Sequence, residues 1–302
     1  ASSASDADDD SGLSDPASSP KARVGSPSKV GVWAGGGLDW GHRDAQGLRD
    51  TRFSTSGVSG GADLKVNDNL ILGGGFGYGG DRTRIGSQGT AFDSETLVGV
   101  LYGSWRAAPD LHLEGLIGYG RLDYGSRRWS PEESGFALGR RSGNLTFGSV
   151  GLAYDRRSGR RARSLYGRME TSRASLAAFT ETGAGISALH YQAITPATVT
   201  GNLGVKLEWI VEARTFVFAP SARMEWRHEF QQPGDQTISY ADWLDGPLYN
   251  VSLDGWSRDS LALELGGRWT LGDNLDIDAS YRSTLVSNGS SQGLHLKLIA
   301  RF

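Results

Sequence analysis

The chain has 302 residues, a net charge of −3, a mean hydropathy of −0.36 and no cysteine. It therefore carries no electrostatic footprint for nucleic acid, no disulfide framework, and no uninterrupted apolar run of the roughly 18 residues a spanning helix needs. Forty-four glycines, nine tryptophans and ten each of tyrosine and phenylalanine, beside only two methionines, instead suit β-strands with close inner packing and aromatic girdles.

Residues 1–28 differ from the rest of the chain. They are rich in Ser, Ala, Asp and Pro, with an acidic run from Asp6 to Asp10 and prolines at 16, 20 and 27. Too little apolar surface is available to bury, so the stretch reads as a flexible linker or plug segment. The aspartates lack calcium-loop spacing and read as solvated. No signal-peptide pattern opens the sequence, which therefore reads as a mature fragment.

From Lys29 onward apolar and polar residues alternate in segments of a dozen or so residues. The alternation predicts twelve strands, at 29–43, 52–66, 70–85, 92–106, 111–126, 144–156, 163–178, 197–211, 215–229, 258–271, 274–286 and 292–302. Near the end of the chain Leu261, Leu263, Leu265, Trp269 and Leu271 share one face, and Glu264, Arg268 and Thr270 the other. A helical period would scatter those charges. One face against lipid and one against a wet interior is the signature of a transmembrane antiparallel β-barrel. The connectors 67–69, 107–110, 212–214 and 272–273 read as tight periplasmic turns, and 127–143, 179–196 and 230–257 as long extracellular loops. An even strand number returns both barrel ends to the periplasm.

The predicted lumen face carries Asp63, Lys65, Glu95, Glu114, Arg168, Glu170, Lys206, Glu208, Arg223, Glu225, Arg227, Glu264, Arg268, Asp276, Asp278, Arg282, Lys297 and Arg301. Mixed signs at this density make a wet wall that pairs internally, and most of these side chains read as structural lumen salt bridges. About twelve strands enclose more space than the eight that side chains fill, and less than a porin does. One extended chain or one helix fits. Trp33 is expected in the lumen near the periplasmic end, with Trp40, Trp105, Trp209, Trp226 and Trp269 near the interfaces, where indole prefers the headgroup level.

Two catalytic-looking patterns fail on context. Gly57–Gly61 satisfies G-x-S-x-G, but Ser59 falls within a predicted strand rather than at a strand-to-helix turn. Gly75–Gly80 satisfies G-x-G-x-x-G with no following helix, and its glycines read as room left on the lumen face for a plug. The five histidines are scattered, with His42, His190 and His228 near extracellular rims and His112 and His295 on lumen faces, so no metal site or cofactor is expected. The one assemblable hydrolase constellation is His228–Glu229 with Asp235 or Asp242.

Several fragments in order carry a family resemblance: Val32 to Gly37, Gly60 to Asp63, Asn67 to Leu70, Gly74 to Tyr78, Leu101 to Trp105, Gly118 to Gly120, Phe179 to Gly183, Gly204 to Leu207, and the terminal Phe302. Over about residues 30–302 the chain resembles the translocator domain of type V autotransporters. The resemblance implies a twelve-stranded outer-membrane barrel in a Gram-negative bacterium, monomeric, whose preceding segment threads the lumen and leads to a passenger exported to the surface. It also implies that the insertion machinery and periplasmic chaperones are partners, with Phe302 as the assembly signal. Members usually carry a helix before the first strand, where this chain has the Pro/Ser-rich stretch 12–28. Some members cleave the passenger with a linker asparagine and acidic lumen residues, but residues 1–28 contain no asparagine. The reading is therefore non-enzymatic protein secretion, with a small-solute channel as the alternative and a barrel enzyme behind it.

Overall fold

A computed structural model describes residues 29–43, 50–231, 234–243, 245–252, 257–272 and 274–302. The linker expected at 1–28 lies outside the described residues. Twelve antiparallel strands form the barrel: β1 Val30–Arg43, β2 Thr51–Asn67, β3 Leu70–Ile85, β4 Thr90–Ala108, β5 Leu111–Ser130, β6 Gly135–Ser158, β7 Arg161–Leu176, β8 Ala197–Trp209, β9 Phe216–Glu229, β10 Asp259–Leu271, β11 Leu275–Val286 and β12 Gly289–Arg301. Each pairs with its sequence neighbours, and β1 pairs β12 from Gly31↔Arg301 to Arg43↔Gly289, so the sheet closes. Closure leaves no strand edge to expose backbone polar groups to hydrocarbon.

The pleat then sorts every residue. Trp33 on β1 is only 6% exposed while Val32, Leu38 and Trp40 are open on the other face, and the registers carry that inside–outside parity around the ring. Leu263, Leu265 and Leu298 all point outward, Leu265 at 66% exposure. The five tryptophans expected near the interfaces all point outward and form two girdles. Trp105, Trp209 and Trp269 lie at the end with the tight turns, and Trp40 and Trp226 at the other.

Two sequence expectations fail at the loop end. The connector 127–143 is no long loop, because β5 and β6 continue as one hairpin to Ser130 and Gly135 around a turn at 131–134. Beyond the membrane neither face of that hairpin meets lipid, so the alternation that reveals a strand fades there. The loops 177–196 and 230–258 are not simply irregular either. They contribute a second antiparallel sheet, ordered Tyr249–Ser252, Asp235–Tyr240, Leu189–Tyr191, Phe179–Thr180, with one 3-10 turn at Gly185–Ser187.

This small sheet caps the inner surface of the β5–β6 extension. Arg128 donates to both oxygens of Glu181, at 3.0 and 2.6 Å, and to the Ser187 carbonyl at 2.8 Å. Arg141 reaches Gln236 and lies over the rings of Phe179 and Tyr124. Gly139 is required at this contact, since a Cβ there would stand 2.3 Å from the Phe179 ring. The apolar clusters of the molecule sit nearby. Leu122, Leu145 and Leu176 pack with Ile194, and Ala137 packs with Ala184 and Ala188.

Candidate functional site: the lumen

The inner wall has two chemistries. Across β1, β2 and β3 two neighbouring rungs read Gly37–Gly57–Gly79 and Gly35–Ser59–Gly77, so nothing larger than serine projects from that patch. A Cβ on Gly57 or Gly79 would meet nothing nearer than a backbone oxygen at 3.4 Å, whereas His295 leans over Gly37. Ser59, flagged by the G-x-S-x-G pattern, is a strand residue within this patch. Of the G-x-G-x-x-G glycines, Gly77 has the lumen parity but lies under the Val98 side chain, Gly80 has the outward parity, and Gly75 has a different use from the room for a plug expected of it. With Gly61 it receives the Trp33 indole, a Cβ at either lying about 3 Å or less from that ring.

Trp33 anchors this wall at the turn end. Its Nε1 donates to the Tyr102 hydroxyl at 2.6 Å, the hydroxyl bonds Asp63, and the Lys297 ammonium sits 5.4 Å over the indole. Lys65 lies at the rim and pairs with Asp68 in the following turn at 2.7 Å. That contact holds the Asp68 carboxyl below the usual carboxylate range.

Strands β7 to β12 present the charged wall. Glu225, 2% exposed, accepts from the Tyr166 hydroxyl at 2.6 Å and lies 3.8 Å from Arg168 and 3.4 Å from Arg282. Arg168 also pairs with Glu170 at 2.7 Å, Arg223 with Glu264 at 2.6 Å, and Lys206 with Glu208 at 3.9 Å. Nearer the turns, the fully buried Asp276 binds Arg301 at 2.5 Å and Thr270 at 2.7 Å, while Arg268 pairs with Asp278 at 2.7 Å. Each buried carboxylate thus has a cation or hydroxyl against it, as removal from water requires.

Seventeen of the eighteen residues assigned to the lumen by sequence have inward parity; Glu95 does not. It shares a face with Leu97 and is exposed beyond the apolar belt, opposite Gly80 and Asp123. The stretch Leu97 to Leu101 is apolar on both faces, so one charge beside it could not reveal which face is wet. Tyr102 and Tyr166 were missed because only charges were scored, although parity places both inside, where it also places Thr270 as expected. The hydrolase constellation does not assemble. His228 points outward to Asp259 at 2.9 Å, its neighbour Glu229 has the opposite parity, and Asp235 is bonded to Ser252 in the cap. His112 and His295 face the lumen and lie 3.5 Å from Asp155 and Asp39.

The fold and lumen define a closed twelve-stranded membrane barrel with a wet interior. The autotransporter beta-domain family model matches residues 32–282, and the chain belongs to that family. Among solved structures it is similar to the translocator domain of autotransporter NalP from Neisseria meningitidis, at TM-score 0.74 and 18% identity, covering 92% of this chain and 90% of that one. It is also similar to the beta domain of the Bordetella autotransporter BrkA, at TM-score 0.65 and 16% identity over 91% and 100% of the two chains. The transport unit of autotransporter AIDA-I from Escherichia coli aligns at TM-score 0.53 and 15% identity over 91% of each chain. Comparison with curated protein sequences finds no match. The chain is an outer-membrane translocator domain, and it crosses the membrane with strands. Because short turns mark the periplasmic side of such barrels, the turns at 68–69, 109–110 and 159–160 and both barrel ends are periplasmic, and the cap is extracellular.

Proposed function

We propose that this domain conducts an N-terminal passenger through its lumen to the cell surface, with residues 1–28 forming the segment that threads the pore. The glycine and serine patch on β1–β3 carries the reading. Facing a wall whose charges engage one another, its Gly57 and Gly79 positions let an extended backbone pass without meeting a bulky side chain or having to break an ion pair. A chain tethered to the barrel would be held beside this track at high local concentration. Deleting residues 1–28 should raise single-channel conductance in planar bilayers; unchanged conductance would place that segment outside the pore.

The lumen residues act as structure and not as catalysts in this reading, and the domain works as a monomer. Periplasmic chaperones and the insertion machinery would receive the strand that ends in Phe302, whose side chain is exposed on the outer face while its amide donates to the Val30 carbonyl at 3.0 Å. Truncating an exposed rim aromatic should cost the finished barrel only about 1–2 kcal/mol. Phe302→Ala should therefore lower the yield of inserted protein in cells far more than the yield of refolded, heat-modifiable barrel in detergent. An equal fall in both would make the residue structural.

A further inference from the structure

Five arginines, Arg156, Arg157, Arg160, Arg161 and Arg163, fall within eight residues at the periplasmic hairpin joining β6 to β7. All are exposed, and among the described residues none has an ion-pair partner. The register sets Arg156 directly across from Arg163, and like charges so placed repel. Their direction is as informative as their number. Arg156, Arg161 and Arg163 have the outward parity of Tyr154 and Leu165, which pair one step nearer the membrane centre, and Arg161 lies beside the girdle residue Trp209 on β8. Arg161 is in register with Trp209 and Arg163 with Leu207, so these side chains leave the wall at the aromatic girdle, where their long stems carry the guanidinium groups to the headgroups.

We infer that this hairpin is a binding site for anionic phospholipid of the periplasmic leaflet. The phosphodiester of phosphatidylglycerol or cardiolipin would bridge Arg156 and Arg163, with Arg161 as the third donor. Guanidinium groups bind phosphate oxygens in pairs, and a bound phosphate removes the repulsion the fold otherwise retains. An acidic periplasmic protein would instead meet Arg157, which has the lumen parity, and Arg160 in the turn.

The test uses the full chain in nanodiscs of phosphatidylethanolamine and phosphatidylglycerol, with retained lipid counted by native mass spectrometry. Symmetric leaflets make the readout independent of which end of the barrel is periplasmic, so its failure is separable from failure of the export reading. The wild type should retain phosphatidylglycerol in preference to phosphatidylethanolamine by at least about tenfold. The triple variant Arg156→Gln/Arg161→Gln/Arg163→Gln should lose most of that preference, and Arg157→Gln/Arg160→Gln should keep it. Equal retention of the two lipids by the wild type, or a preference surviving in the triple variant and lost in the double, overturns the site. Should the triple variant lack a heat-modifiable band, the wild-type salt series decides. The preference must fall as ionic strength rises from roughly 0.05 to 0.5 M, and a constant value also overturns it.

Discussion

The two lumen walls solve one problem by opposite means. On β1–β3 the interior is kept open by removing side chains, so that Gly57 and Gly79 form a bare rung beside Gly37, over which His295 leans. On β7–β12 it is lined by long charged side chains held down by one another, with Glu225 between Arg168 and Arg282 and Asp276 beneath Arg301. The first wall depends on what is absent, the second on complete pairing. A substitution should therefore matter on the first wall when it adds atoms and on the second when it removes a partner.

The largest effect is expected from unpairing the charged wall. Glu225→Ala removes a buried carboxylate shared by Arg168 and Arg282 together with the acceptor of the Tyr166 hydroxyl, and should cost about 3 kcal/mol in urea unfolding of the detergent-refolded barrel. A cost below that of a neutral outward change such as Leu265→Ala would show that lumen water already screens the cluster. Close behind comes Leu265→Arg on the outer face, at about 2–4 kcal/mol near mid-membrane, read as the fraction folded in lipid vesicles.

The glycine wall should split by position. Gly61→Val drives a side chain into the Trp33 ring and should cost about 1–3 kcal/mol. Gly57→Val has room and should leave the unfolding midpoint nearly unchanged while slowing appearance of the passenger at the surface. If both variants behave alike, the patch is structural packing and not a track.

The cap gives a smaller, pH-dependent effect. Burial, with Glu181 beside it, pushes the Tyr191 hydroxyl up to about 12 from an ordinary value of 10. The unfolded cap therefore ionises first as pH rises. Cap stability is unaffected below about pH 10 and declines by roughly 2 kcal/mol toward pH 12. Limited proteolysis of the loops 177–196 and 230–258 should increase across that window, and Tyr191→Phe should remove most of the increase.

How much of this was legible in the sequence follows the location of lipid. Where one face meets hydrocarbon, as from Leu261 to Leu271, alternation fixed strand, face and register within a few residues. Glu95 was misplaced because its neighbours Leu97 to Leu101 are apolar on both faces. The β5–β6 extension was read as loop because its two faces meet water and the cap. The cap itself was invisible, since strands of two to six residues drawn from two loops carry no usable period. Within the lumen, individual charges were readable one by one. Their assembly around Glu225 was not, because it joins β7, β9 and β11, alternate strands whose side chains meet over the intervening strands only in the curved sheet.

The most direct test of the translocation account is a cross-linking comparison during export, which a chain without native cysteine permits. One cysteine replaces Ser14 in the upstream segment and a second replaces either Gly79 on the bare rung or its lipid-facing neighbour Tyr78. The account predicts that a short bifunctional maleimide joins Ser14→Cys to Gly79→Cys and leaves Ser14→Cys with Tyr78→Cys unjoined. Equal cross-linking at both positions, or none at Gly79→Cys while the passenger still reaches the surface, would contradict it.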